Sequence, residues 1–158
     1  MNIHETAIIE NNVIIGEGTK IWHFSHIREY AQIGKNCIIG KYIEIGPVVK
    51  IGDRCKIQNH ANIFEGSVLE DYVFIGPGVI ITNVSNPRAE SKSEFTNTLI
   101  KHHATIGANS TIICGLSIGE YAFIGAGSVV TKDIPPYALA YGNPARIVGK
   151  VNEKGVRI

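Results

Sequence analysis

The 158 residues match the usual size of one domain and can bury about two-thirds of the unfolded surface, enough for a core without disulfide or metal staples. Hydrophobic residues make up 44% and charged ones 18%, which excludes a disordered chain. Lys plus Arg at 15 against Asp plus Glu at 14 leaves no basic excess or stripe to mark nucleic acid as a partner.

The opening MNIHETAIIENN lacks the basic-then-apolar order of a signal peptide. No apolar run approaches the roughly 20 residues of a membrane span, so no membrane partner is expected. Cys37, Cys55 and Cys114 are odd in number and without CxxC spacing. They fit a reducing, cytoplasmic setting better than a disulfide framework or zinc knuckle.

From Ala7 the chain divides into sixes: AIIENN, VIIGEG, TKIWHF, SHIREY, AQIGKN, CIIGKY, IEIGPV, VKIGDR, CKIQNH, ANIFEG, SVLEDY, VFIGPG and VIITNV, thirteen hexads ending at Val84. A second run, ATIGAN, STIICG, LSIGEY, AFIGAG and SVVTKD, extends from Ala104 to Asp133. In these eighteen hexads the third position is Ile sixteen times, with Leu69 and Val130 the exceptions, and the fourth is Gly nine times. Such a period excludes a helix, whose repeat is near 3.6. A β-sandwich would space its turns irregularly.

A hexad supplies one short strand and one bend, with the third residue pointing inward and Gly expected to relieve the turn. One coil cannot bury its own apolar residue, so coils must stack into a continuous aliphatic ladder. Three hexads per coil predict an all-β parallel β-helix of about six coils, each rising about 4.8 Å. The default crossover rule would make it right-handed. The expected organisation is a solenoid over 1–133, with a loop over 85–103 inserted, and a cap over 134–158.

Function is expected where the repeat breaks. The segment SNPRAESKSEFTNTLIKHH carries Arg88, Lys92, Lys101, His102 and His103. It leaves the ladder next to Asn83 and reads as an extruded loop over a site. The tail IPPYALAYGNPARIVGKVNEKGVRI starts with Pro135-Pro136, which removes strand donors, and it carries Arg146, Lys150, Lys154 and Arg157.

The hexads together with GAGSVVTKDIPPYALAYGNPAR resemble the hexapeptide-repeat acyltransferases across essentially the whole chain. The resemblance implies a left-handed β-helix with acetyl-CoA as co-substrate and no permanently bound cofactor or metal. Gly107, Gly125, Ala126 and Gly127 would then offer backbone groups to the pantetheine arm, and Lys132, Arg146 or Lys150 would meet its phosphates. It also implies a homotrimer with sites between neighbouring subunits.

Three stretches, TKIWHFSHI, IGDRCKIQNHANIFEG and GPGVIITNVSNPRAE, are similar to nucleotide-sugar 3-N-acetyltransferases. The match points to the type acting on a UDP-linked 2-acetamido-3-amino-2,3-dideoxy-glucuronic acid, a lipopolysaccharide precursor. The alternative is a dTDP-3-amino-3,6-dideoxyhexose acetyltransferase, which usually reads TND where this chain reads TNV.

Aminolysis of a thioester needs positioning more than strong base, because a neutral amine is a good nucleophile and a thiolate a good leaving group. The resemblance makes Asn83 the group that orients the amine. His60, where relatives carry Asn, is a second catalytic candidate as base. Asn59, Asn86, Arg88, His26 and Arg28 are candidate substrate contacts, and His23 belongs to the same early cluster.

Two other classes compete. A γ-carbonic-anhydrase-like zinc hydratase would need three convergent ligands and two His five apart, whereas His23 and His26 are three apart and His102 and His103 adjacent. A non-catalytic interaction module would have no use for the GAGSVVTK and GNPAR stretches.

Overall fold

A computed structural model describes residues 2–90 and 94–158; the loop cation Lys92 lies outside them. The chain is a left-handed parallel β-helix built from strands mostly two residues long, gathered into three faces. Face one carries nine strands, face two seven and face three six. Between strands the chain bends three times per coil. We call these bends the first corner (face one to two), the second (two to three) and the third (three to one).

Register runs through the whole stack. Ile21, Ile39, Ile57 and Ile75 pair in parallel, 18 residues apart, three hexads per coil. The offset lengthens to 31 at Ile75↔Ile106, so the insertion is 13 residues, 85–97. Thr98–Ile100 is already a strand of face three, paired with Ser67–Leu69. The extruded loop is therefore shorter than the 85–103 expected, because TLIKHH is itself a hexad. Its Leu99 and Ile100 escaped notice only because polar TNT precedes them.

The ladder also starts earlier and ends later than the sequence suggested. Asn2–Ile3 is the opening strand, paired with Lys20–Ile21. Ile134 bridges to Ile118 and Ala140 pairs with Ile124, both at an offset of 16, so the chain drops two residues at the last second corner and continues. Seven complete coils and the first strand of an eighth replace the expected six. Ala138–Gly142 then pairs antiparallel with Ala145–Lys150, which covers the open edge that a solenoid end would leave.

The third-position ladder is the core: Ile27, Ile39, Ile45, Ile57, Ile63 and Ile81 have no exposed surface. First-position side chains are small because they face a neighbouring coil. Ser25 Oγ donates to Gly40 O at 2.7 Å and accepts from the Ile43 N–H at 3.1 Å. Cys37 and Cys55 fill the same position, each with its sulfur 3.1 Å from a carbonyl one coil on. The Cys55 thiol is held far above its ordinary value by its link to Cys37 and by burial.

The glycines do not do what the sequence suggested. Positive φ falls at the sixth hexad position, where thirteen non-glycine residues adopt φ between 50° and 63°, and not at the fourth. The fourth-position glycines answer a different constraint, close coil stacking: a Cβ on Gly16 would meet Gly34 C at 2.5 Å, and one on Gly76 would meet Ala108 N at 2.6 Å. Left-handed backbone costs L-residues roughly 1–2 kcal/mol each, so the sixth-position side chains need compensating contacts. Aromatic stacking supplies many of them.

Candidate active site

The first corner changes character along its length. In the early coils it is crowded. His4 and His23 stack at 3.5 Å between ring centroids, and Phe24, Tyr42 and His60 form a column with 5.1 Å steps. From Gly76-Pro77-Gly78 through Gly107-Ala108-Asn109 to Gly125-Ala126-Gly127 it is stripped of bulk. Gly107, Gly125, Ala126 and Gly127 thus share this corner in adjacent coils. Past Gly127 nothing lies within 4 Å of where a Cβ would stand.

This bareness leaves backbone groups open. At the third corner two fifth-position Asp side chains each cap the N–H of the coil before them. Asp53 Oδ1 accepts from Lys35 N–H and Asp71 Oδ1 from Asp53 N–H, both at 2.7 Å. Here the fifth positions are Pro77, Ala108 and Ala126, which cannot cap. Neither the Ala108 nor the Ala126 N–H has an intramolecular acceptor among the described residues. Two donors one coil apart therefore line a shallow furrow of small residues, bordered by the side chains of Asn109 over Gly78 and Tyr141 beside Gly125.

Asn59 belongs to the capping series: its Oδ1 accepts from Lys41 N–H at 3.0 Å. His60 beside it is exposed, with its ring stacked on Tyr42 at 9° interplanar. Asn83 occupies the same hexad position as Asn59 at the second corner, yet departs from the rule. Its carbonyl accepts from Thr96 N–H at 2.8 Å, closing the base of the loop. Its side-chain amide has no partner among the described residues. Asn86 and Arg88 stand exposed on the loop, Arg88 donating to the Pro87 carbonyl at 3.0 Å.

His60 and Asn83 lie at opposite edges of face two. His60 precedes the strand Asn62–Ile63, and Asn83 follows Ile80–Ile81, the strand paired with it. One chain does not bring them together.

His26 and Arg28 lie on face two and at the second corner, several coils earlier. His26 Nε2 meets Glu10 Oε1 at 2.7 Å and Nδ1 meets Glu44 Oε2 at 3.4 Å. Arg28 Nε lies 2.9 Å from the same Glu10 oxygen. Desolvation opposes ionisation of Glu10, but hydrogen bonds from the Glu29 N–H, His26 and Arg28, with the Arg28 charge, outweigh it and hold the carboxyl below its ordinary value. These two residues are thus engaged by carboxylates in the isolated chain.

In the tail, Arg146 is exposed on Ala145–Lys150 and bonds only the Ala145 carbonyl, while Lys132 and Lys150 are exposed without an ion partner among the described residues. His102 and His103, read as loop residues, instead sit at the third corner. His102 pairs with Glu120 at 2.8 Å, and His103 stacks between Tyr72 and Tyr121. Among the described residues no three His, Cys, Asp or Glu side chains converge as a metal set. No helix long and apolar enough to cross a membrane occurs among them either.

Sequence reading missed Trp22 and Lys41, which line a cleft of about 360 Å³ at the first corner with His23 and Asn59. Their signal was positional: both break the fourth- and fifth-position pattern of the corner that later becomes bare.

Comparison with known proteins places this architecture. The bacterial transferase hexapeptide family (six repeats) matches residues 30–65 and 97–132. A dTDP-3-amino-3,6-dideoxy-α-D-galactopyranose 3-N-acetyltransferase of Aneurinibacillus thermoaerophilus is 50% identical over 150 residues, covering 94% of this chain and 78% of that protein. Among solved structures, the UDP-N-acetylglucosamine acyltransferase LpxA of Bacteroides fragilis superposes with a TM-score of 0.79 at 22% identity, over 94% of this chain and 60% of that one. A GDP-perosamine N-acetyltransferase of Caulobacter crescentus, solved with CoA and GDP-perosamine, gives 0.65 at 24%, over 94% of this chain and 56% of that one. The chain spans little more than half of those two structures, and at such identity they speak for the fold alone. Identity shared with the A. thermoaerophilus enzyme over nearly the whole length goes further: the chain belongs to the hexapeptide-repeat transferases, in their acetyltransferase branch.

Proposed function

We propose that the protein transfers acetyl from acetyl-CoA to the 3-amino group of a dTDP-linked 3-amino-3,6-dideoxyhexose. The observation that carries this reading is the stripped first corner with its two open N–H groups, in a chain half identical to an enzyme of that activity. The same identity reverses the order of the two acceptors: the dTDP sugar now stands ahead of the UDP-linked glucuronic acid, despite the TNV string at Thr82 to Val84.

In this reading the pantetheine arm lies along Ala108 and Ala126, whose N–H groups hydrogen-bond its amide carbonyls. A side chain there would block the arm, which accounts for the absence of one. Lys132, Arg146 and Lys150 lie toward the phosphate end. The amine lone pair attacks the thioester carbonyl, the C–N bond forms, the C–S bond breaks, and the nitrogen's proton passes to the departing thiolate, which leaves as the free thiol of CoA. Asn83 Oδ1 accepts from the amine and aims its lone pair; an amide cannot act as a base near neutral pH. Approximation of this kind supplies up to about 7–11 kcal/mol in ideal intramolecular cases. His60 is a contact at the far edge of the same site, and Asn86 and Arg88 reach over it from the loop.

Because His60 and Asn83 sit at opposite edges of face two, the site needs two copies. A closed homotrimer sets the first corner of one copy against the second corner of the next, and cyclic closure leaves no open filament. Acetyl-CoA consumption followed by thiol release across dTDP- and UDP-linked 3-amino sugars tests the assignment. Turnover is expected with the dTDP sugar, and silence across the panel from a folded trimer overturns it.

A further inference from the structure

The cleft of Trp22, His23, Lys41 and Asn59 is not used by the chemistry above, yet it is continuous with the furrow. Lys41, Asn59, Pro77, Ala108 and Ala126 are successive fifth positions of the first corner, one per coil. Lys41 therefore stands four coils from Ala126, about 19 Å at the spacing of neighbouring strands. That span is comparable with an extended pantetheine arm. The cleft begins where the furrow ends.

Its walls are built. Trp22 is 44% exposed, unusual for the largest apolar side chain, and its ring lies within 7° of the His23 plane at 6.2 Å. His23 is itself stacked on His4. In the next coil the position equivalent to Trp22 is Gly40, where a Cβ would meet Asn59 Oδ1 at 2.5 Å. No side chain can occupy that position, so the indole faces an opening that no residue of the next coil fills. Lys41 forms the adjoining wall; its backbone N–H is fixed by Asn59, and its side chain is exposed with no ion partner among the described residues. An open indole face beside an ammonium group suits a planar base attached to a diphosphate.

We infer that this cleft binds the pyrimidine nucleoside diphosphate half of the acceptor, the base stacking on Trp22 and the diphosphate meeting Lys41. The inference rests on the nucleotide-sugar reading. It also fixes direction along the corner: acetyl-CoA enters from the tail end, the nucleotide from the opposite end, and amine and thioester meet between them, beside the Asn83 that a neighbouring copy presents.

Trp22 is the single tryptophan of the chain, so its emission reports the cleft directly. Titration of the whole protein with dTDP is expected to quench that emission saturably, while acetyl-CoA leaves it nearly unchanged. Lys41→Met is expected to weaken dTDP binding roughly tenfold, and Trp22→Ala to raise the KM for the dTDP-sugar by a similar factor with the KM for acetyl-CoA unmoved. Emission indifferent to dTDP in an enzyme that acetylates the dTDP-sugar overturns the cleft and leaves the acetylation reading standing. Saturable quenching in a protein that turns over no amino sugar does the reverse. An unchanged dTDP affinity in Lys41→Met removes the diphosphate contact.

Discussion

The first and third corners pass through the same coils with the same backbone, yet they carry opposite contents. At the third corner Arg54 lies over Tyr72 at 5.6 Å, and Tyr72, His103, Tyr121 and Tyr137 follow in an unbroken stack with steps of 4.5 to 5.0 Å. Three residues of strand after Tyr72, His103 and Tyr121, the chain turns the first corner on Gly76-Pro77-Gly78, Gly107-Ala108-Asn109 and Gly125-Ala126-Gly127 respectively. Sixth positions at both corners hold positive φ, so the backbone does not dictate the difference. One corner uses aromatic rings to compensate for left-handed backbone; the other forgoes that compensation and keeps a furrow. On the proposed reading, stability is given up where the pantetheine arm lies.

Filling the bare corner is the strongest way to break this contrast. Ala126→Trp is expected to weaken acetyl-CoA binding by about 100-fold, roughly 2.7 kcal/mol, while the melting temperature changes little because the site is at the surface. Calorimetric titration with CoA checks it. Binding within a few-fold of wild type would show that the arm runs elsewhere.

Next in size is Asn83→Ala, expected to lower kcat by more than about tenfold, equal to roughly 1.4 kcal/mol, with the KM for acetyl-CoA preserved. His60→Asn should keep most of the activity, since an amide still hydrogen-bonds at that corner. A dead His60→Asn beside an active Asn83→Ala would move the chemistry to the imidazole and add an acidic limb to the kcat/KM profile.

Emptying the crowded corner should act in the opposite sense. Tyr121→Ala removes two stacking partners, His103 and Tyr137, and is expected to cost about 1–2 kcal/mol of stability with kcat unchanged. Thermal unfolding and a rate measurement on the same sample separate the two corners. A loss of kcat without a loss of stability would mean that the third corner also takes part in function.

The hexads made the solenoid legible because every third-position Ile must point inward, a constraint that repeats with each coil. What the period concealed was its own irregularity: TLIKHH was hidden behind polar residues, and the two-residue deletion before Ile134 threw KDIPPY and ALAYGN out of phase. Glycine roles were misread because composition does not separate positive φ from close stacking; Gly16 and Gly34 are glycine for want of space. Of the proposed site, the sequence exposed Asn83 and the Gly125-Ala126-Gly127 turn as candidates, because one adjoins the break in the repeat and the other lacks bulky side chains. Asn59 and Asn83 look alike in the repeat, and only the hydrogen bond from Lys41 N–H to Asn59 separates a capping amide from one left without a partner. Trp22 and Lys41 stayed hidden because an opening depends on Gly40, eighteen residues away in sequence but adjacent in space.

The second corner is filled in yet another way, by charge, and its contribution should be the smallest. Glu10 gathers the Glu29 N–H, His26 and Arg28, and its carboxyl ionises below the ordinary value. A carboxyl lowered in the folded state contributes stability that is present above the usual glutamate range and is lost as pH falls through the folded value. Glu10→Gln should therefore melt slightly below wild type near neutral pH, by a small margin because the groups are partly exposed and screened. The margin should close on acidification, once the wild-type carboxylate is itself protonated. Melting curves of both proteins from neutral pH to below the glutamate range test this, repeated in high salt, where a screened ion network loses most of its margin at every pH. A margin independent of pH and salt would mean that Glu10 holds the corner by packing and its backbone bond to Glu29. In that case His26 and Arg28 would be available to a ligand, and the charged corner would belong with the furrow and not with the aromatic stack.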